Sequence, residues 1–492
     1  MTNVRTNPFG ILTCLLIAAA AVPACSSKKP EPSALERAAA ALNVADVPAL
    51  EFSGTGRWFQ FGQSPAPGLP WPQFDVSSYT ATIDYAKPAA RVQITRLQTL
   101  EPGRERPAPV EQKADQYVHG TVAWNLPAAA PAGGNAPAPQ AQPAAVAERQ
   151  AEIWTSPHGF IRAAQFNQAT MTPTDGGTHI EFVADGRRYE GLLDAGNHPI
   201  RVRTWIDNPV TGDTPFEVTY ADYRAFGDLT FPARITRTLG GHPVLELSVA
   251  NVSKASTGID ALPEAPPVAP VEVTVETLAK GVYYLRGGSH HSVVVDQADG
   301  IVVIEGPQHE ERSNAVIAKA KELVPGKPIR YVVNSHHHFD HSGGLRTYVD
   351  EGATVVTHAS NQPFYEQAWA APRTINPDRL AKSGKTPQFL TFTDKLVLED
   401  KAHPVEVHHI AGNGHNDAFA MIYLPKEKVL IEGDAWTPSP PGAPPPSARN
   451  PYTANLFENV RRLKLDVRRI AALHGPGVAP LAQLKAAAEA GS

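Results

Sequence analysis

Cysteine is almost missing from this chain of 492 residues: there are two, Cys14 and Cys25, both within the first 25 positions. The body that follows has neither a disulfide framework nor a thiolate metal site. A basic surplus is lacking as well. The formal charge of −5 gives no cationic field for a polyanion, which argues against nucleic acid as a partner. Nor does the mostly apolar stretch Ile11–Val22 reach the length that crosses a bilayer comfortably. What remains is ordinary globular material, 42% hydrophobic and 19% charged, long enough for two or three domains at roughly 100–200 residues each. Proline is plentiful at 47 residues, much of it in stretches that read as linkers.

Arg5 ahead of Ile11–Val22 has the order of a secretory signal, predicted over residues 1–24. Val22-Pro23-Ala24-Cys25 resembles a bacterial lipobox, which implies a lipid on Cys25 as the membrane contact and a tether over residues 25–45. By resemblance to Gram-negative lipoproteins, Ser26 implies the periplasmic side of the outer membrane. Ordinary cleavage after Val22-x-Ala24, giving a periplasmic or secreted protein, and an uncleaved anchor helix are the alternatives. Ala34–Leu42 reads as a short helix.

Residues 46–260 read as a β-rich domain. Ser78–Tyr85, Arg91–Thr95, Ile200–Trp205 and Phe216–Tyr220 alternate apolar and polar at period two. Leu229–Leu239 and Val244–Val252 flank Gly240-Gly241, a hairpin turn. The prediction is a mainly antiparallel sheet, curved and half-buried, with a disordered insert over 126–147, where alanine, proline and glycine replace large apolar side chains. No residues here converge into a catalytic constellation. The stretch Gly227–Pro232 and its following strand resemble the sheet domains of periplasmic lipoprotein-handling proteins, which favours a protein partner or a docking role for this domain.

The proline-rich 261–271 is a semi-rigid linker. Beyond it, over 272–492, short apolar strands such as Ser292–Val295, Ile301–Ile304 and Val429–Ile431 alternate with helical stretches such as Asn314–Leu323. That mixture predicts an α/β core with its active loops at strand ends.

The densest chemistry follows one of those strands. His336, His338, Asp340 and His341 form H-x-H-x-D-H directly after Tyr331-Val332-Val333. Imidazole and carboxylate donors suit zinc and other borderline divalent metals, and so many ionisable groups are costly to bury without a partner. Three later donors also sit at strand ends: His415 in the Gly-bounded loop Gly412–Asp417, Asp434 after Val429–Gly433, and His474 before Gly475-Pro476-Gly477.

Together these motifs resemble the metallo-β-lactamase-fold hydrolases. The resemblance implies an αββα sandwich with a two-metal site at the edge between its sheets. It assigns His336, His338 and His415 to one Zn2+, Asp340, His341 and His474 to a second, and Asp434 to a bridge between them. Glu305 stands where the family usually has an aspartate that orients the His loop. The implied reaction is hydrolysis of a small-molecule ester, lactone, thioester or amide, with a β-lactam as a less favoured member of that class. In it, two cations roughly 3.5–4 Å apart lower the pKa of a shared water towards about 7, and Asp340 orients the nucleophile as the catalytic carboxylate. A bridging aspartate looks more like the thioesterase, lactonase and phosphodiesterase branches than the antibiotic-hydrolysing ones. The alternatives are a mononuclear Fe2+ dioxygenase of the same fold, held by His336, His415 and Asp434, and a non-catalytic metal-binding lipoprotein.

Other histidines read more plainly. His337 points away from the metals by alternation. His290 and His291 follow Gly287-Gly288 in a turn that reaches the rim of the site. His408 and His409 read as structural, while His358 is undecided. Two segments are expected over the site: a stiff proline-rich wall from Trp436 to Arg449, and a helical lid from Gln362 to Lys385 carrying Phe364, Tyr365 and Trp369, whose aromatic spacing fits core packing equally well.

Overall fold

In the computed structural model, which describes residues 31–127, 138–255, 259, 264–440, 442–443 and 448–490, the period-two stretches of the first half pair into one antiparallel sheet of 13 strands. Its first long strand, Ala49–Phe59, pairs with its last, His242–Lys254, so the two ends of the domain meet at the middle of the sheet. The Gly240-Gly241 hairpin forms as expected, with Leu239 opposite His242. The helix Ala34–Ala41 is closed by a capping box in which Glu36 N donates to Ser33 Oγ and Ser33 N to the Glu36 side chain. The signal stretch, Cys25 and the first residues of the tether lie outside the described residues.

Two corrections concern this domain. The helices Val146–Thr155 and Pro157–Phe166 sit within a reach whose sequence reads as mostly strand. Pro157 and Ser156 break the helical period between them: Ser156 caps the second helix through Gly159 N, with Pro157 at its first turn. Phe160 and Ile161 then pack into the sheet core with Ile180, Phe182 and Tyr189. The insert is also more ordered than its composition suggests. Gln140–Ala141 pairs with Trp124 and Asn125, and the helix has begun by Val146; residues 128–137 of the insert lie outside the described residues. Tertiary pairing supplies there what side-chain hydrophobicity does not.

The second half is built from two sheets with helices on both outer faces. The seven-stranded sheet runs antiparallel from Thr274–Ala279 through Ser292–Gln297 to Gly300–Ile304, then parallel through Ile329–Val333 and Thr354–His358 to Phe389–Phe392. The six-stranded sheet holds Val405–His409, Ala420–Leu424, Val429–Glu432 and Arg469–Ala472 in order. Alternation along each strand splits its side chains between two cores. Val302, Ile304 and Val333 meet Val407, Ile422 and Ile431 between the sheets. Ile301, Val303 and Val332 face the helices Glu310–Leu323 and Leu345–Glu351. Strands buried on both faces read as continuous apolar runs, as Gly300–Ile304 does. On the far side, Pro451–Arg462 and Leu481–Ala488 cover the second sheet. This is the expected αββα sandwich, preceded by a large antiparallel β domain. Among the described residues, no helix is long and apolar enough to cross a membrane.

Candidate metal centre

Four strand ends deliver the donors to one edge of the sandwich. Ile329–Val333 leads into the loop of His336 and His338 and the single turn Phe339–Ser342 that carries Asp340 and His341. His415 lies between Val405–His409 and Ala420–Leu424, Asp434 just past Val429–Glu432, and His474 just past Arg469–Ala472.

The side chains fall into two adjoining groups: His336, His338, His415 and Asp434, and His290, Asp340, His341 and His474. Asp434 spans them. Its Oδ1 lies 2.9 Å from His341 Nε2 and 2.8 Å from His474 Nε2, and its Oδ2 lies 3.0 Å from His415 Nε2. Within each group two imidazole nitrogens face one another, His415 Nε2 and His336 Nε2 at 3.2 Å and His474 Nε2 and His341 Nε2 at 3.0 Å. At these distances each pair either shares a proton, one nitrogen donating to the lone pair of the other, or turns both lone pairs toward a cation.

Electrostatics carries the same sign. Burial, with neighbouring His341 and His338, pushes His336 well below its ordinary pKa, and burial with neighbouring His415 does the same to His338, so both are neutral imidazoles. Burial acts to raise Asp434, but His341 and hydrogen bonds from the surrounding histidines outweigh it and hold the carboxyl well below its ordinary range. His341 is the opposite case: Asp434 and Asp340 overcome its burial and raise it strongly.

Several of these rings are aimed by their other nitrogen. Glu305, fully buried and held at φ +73°, accepts from His341 Nδ1 at 3.0 Å and from Asn334 Nδ2 at 3.1 Å, and from the Ser335 hydroxyl. Ser335 Oγ in turn meets His336 Nδ1 at 2.9 Å. Thus His336 and His341 present Nε2. His338 is turned the other way: its Nε2 bonds the Ser64 carbonyl at 2.9 Å, and its Nδ1 is buried without a hydrogen-bond partner. An orphaned lone pair among convergent donors marks a coordination direction. The residues fit a metal.

Sequence reasoning placed His290 only at the rim and missed Gln63. His290 reaches beyond the rim, with Nε2 3.2 Å from Asp340 Oδ2, and joins the second donor group; its bridge pairing with His474 has no local signal. Gln63, from the β-rich domain, donates from Nε2 to Asp340 Oδ1 at 2.7 Å. With Ser64 on His338, residues of a domain that forms no catalytic constellation of its own reach the donors of the other.

The other histidines weighed in the sequence are each held by local hydrogen bonds. His337 bonds Ser64 Oγ and Asn416 Nδ2, and burial pushes it down to about 3. His291 meets the Gly475 carbonyl, His358 the Thr393 carbonyl, His408 Glu406 and His409 the Asp417 carbonyl. The aromatic spacing of the expected lid over 362–385 reflects core packing at its helical start, while most of 370–385 is exposed. Tyr365 and Trp369 are buried in the helical layer, and the Tyr365 hydroxyl donates to Asn334 Oδ1 at 2.6 Å beneath the His loop. Of the expected wall, Thr437 and Pro438 lie against Gly475, next to His474; Pro441 and Pro444–Pro446 lie outside the described residues.

Residues 285–474 match the family model of the metallo-beta-lactamase superfamily. A metallo-beta-lactamase type 2 from Elizabethkingia meningoseptica is 24% identical over 185 residues, which cover 36% of this chain and 66% of that protein, just under two thirds of its length. Among solved structures, a metallo-beta-lactamase from Pontibacter korlensis shares 18% identity at a TM-score of 0.33, over 44% of this chain and 97% of that one. FIM-1 from Pseudomonas aeruginosa shares 20% at 0.33, over 45% and 95%.

Proposed function

We propose that this chain, whose C-terminal region matches the metallo-beta-lactamase superfamily, is an exported metal-dependent hydrolase that cleaves a small ester, lactone, thioester or amide. The observation that carries the reading is the Asp434 carboxylate, one oxygen toward each of two histidine groups. His336, His338 and His415 would hold one cation, and Asp340, His341 and His474 a second, with Asp434 shared. Nitrogen and oxygen donors without sulfur suit zinc. Bound there, the cations would supply a Lewis acid and acidify water at neutral pH.

The chain's own groups do the rest. Burial acts to raise the Asp340 carboxyl, but His341 and the His290 hydrogen bond hold it below its ordinary range, so it is an acceptor able to orient an attacking water and take up its proton. Buried His336, His338 and His341 exclude bulk solvent from the floor of the site. A lipid on Cys25 would tether the enzyme to the periplasmic side of the outer membrane.

The test is elemental analysis of purified wild-type protein and of His341→Ala, followed by a panel of esters, thioesters, lactones, amides and β-lactams. About two zinc ions per chain, falling towards one in the variant, together with hydrolysis of a panel member, is the expected result. One iron per chain, indifferent to His341→Ala, would replace hydrolysis with oxygen chemistry.

A further inference from the structure

The β-rich domain does not merely precede the sandwich; it is wedged against the metal loops at both donor groups. Gly62, at φ +78°, leaves no room for a side chain, because a Cβ there would stand 2.5 Å from the Phe339 ring, and its carbonyl accepts from Phe339 N at 3.2 Å. Gly414, beside His415, is equally confined: a Cβ would stand 1.8 Å from the Glu105 carbonyl oxygen. Arg104 clamps the other end of that loop, its two terminal nitrogens 2.7 and 3.0 Å from the Asp417 carboxylate. Asp417 N donates to the Pro65 carbonyl at 2.7 Å. Backbone, glycines and a bidentate pair thus fix one register between the domains.

We propose that the β-rich domain is a working part of this centre, a role that rests on the hydrolytic reading above: Gln63 is a positioning residue for Asp340, the Ser64 carbonyl selects the His338 tautomer, and the amide-lined wall beside them admits an uncharged, hydrogen-bonding acyl substrate.

Three features give this its chemistry. An Nε2–H donated to Ser64 O leaves the proton off His338 Nδ1, the buried nitrogen that has no other partner. Gln63 and His290 take one oxygen each of Asp340, so the carboxylate is held from both domains. Beside His338 and His415 opens a cleft of about 300 Å³, whose β-domain side carries Gln60, Gln63, Gln98 and Gln112. Gln63 Nε2 is taken by Asp340 and Gln112 Oε1 by Arg96 Nε, but the carboxamides of Gln60 and Gln98, the Gln63 oxygen and the Gln112 nitrogen between them both donate and accept, which matches the carbonyls, amides and hydroxyls of a neutral substrate. The guanidinium in the wall, Arg106, is already engaged by Tyr452 Oη at 3.1 Å and Glu101 Oε1 at 3.3 Å.

The experiment uses the full chain and two readouts. Cobalt(II) titration, followed by its visible absorption, reports the metal sites without any substrate. Turnover of whichever panel compound the wild type cleaves, and of its carboxylate-bearing analogue, reports the cleft. Gln63→Ala is expected to weaken the second cobalt equivalent by about 10–100-fold, the usual range for groups that orient ligands, with an unchanged melting curve. Gln63→Glu, isosteric but repelled by Asp340, is expected to be worse. Gln98→Ala is expected to raise KM with kcat unchanged, and the carboxylate analogue to be the poorer substrate. Wild-type cobalt titrations and kcat in both Gln63 variants would overturn the positioning role, and preference for the anionic analogue would overturn the neutral wall. Failure of the hydrolytic reading looks different: cobalt binding would still depend on Gln63, while the wild type turned over nothing.

Discussion

His341 Nδ1 lies 3.0 Å from Glu305 Oε2, and both side chains are shut off from solvent. Glu305 also takes bonds from Asn334 and Ser335, so one carboxylate anchors the whole stretch between the strand end and the metal loop. Glu305→Ala would strand those donors in the core and remove the counter-charge of His341, a loss of roughly 3–5 kcal/mol by the usual cost of breaking a buried pair. Glu305→Asp tolerates the positive φ but draws the carboxylate back by one carbon. It is expected to melt nearer to wild type while losing about 10–100-fold in metal affinity. Thermal melts paired with metal content after dialysis separate the two effects. Full metal retention in both variants would remove Glu305 from the metal-orienting role.

Asp340 is held by Gln63 on Oδ1 and by His290 on Oδ2. Asp340→Asn preserves the shape but removes the negative charge and the proton acceptor. Turnover is expected to drop at least about 100-fold, within the range of acid–base contributions, with the fold intact by circular dichroism. Unchanged turnover in metal-loaded Asp340→Asn would reject the catalytic assignment.

The sandwich was legible because its strands are buried on both faces and its donors come at strand ends: Gly300–Ile304 and Val429–Glu432 announce themselves as apolar runs closed by Glu305 and Asp434. The seven donors named from motif spacing all arrive at one edge of the fold. What stayed hidden depends on contacts across hundreds of residues. Gln63 is 277 positions from Asp340 and Ser64 is 274 from His338, and neither sits in a local pattern that signals chemistry. Gly62 likewise carries no local sign of the Phe339 ring packed against it. The paired helices after residue 145 were obscured because Ser156 and Pro157 cut one long period into two short ones.

His290 occupies the corner of the second donor group, facing Asp340 and packed edge-on to the His474 ring at 4.2 Å. Arg312 donates to its backbone carbonyl at 3.2 Å, which holds the turn in place. His290→Ala is expected to weaken the second metal equivalent and leave the first as in wild type, because no atom of His290 belongs to the group of His336, His338 and His415. Calorimetric titration with zinc resolves the two steps. Equal loss of both would mean that His290 supports the fold of the rim and not one site.

The β-rich domain carries a pH-sensitive stability of its own in His158. This ring is fully buried and bonds the Leu42 carbonyl through Nε2 at 2.9 Å, while its Nδ1 has no partner. Burial, which outweighs the Leu42 bond, pushes its pKa from 6.5 down to about 4. A group depressed on folding binds its proton more readily in the unfolded chain. Its contribution is therefore complete above about pH 6.5, is lost as the pH falls from there to about 4, and changes no further below that. At roughly 1.4 kcal/mol for each pH unit between the unfolded and folded values, the loss amounts to about 3 kcal/mol. His158→Gln keeps a side-chain amide able to donate to Leu42 but cannot titrate. Its stability deficit relative to wild type, measured by urea unfolding, is expected to be largest near about pH 7 and to shrink or reverse near about pH 4.5. A deficit that stays constant between those two pH values would mean that His158 is not the group that makes the folded domain acid-sensitive.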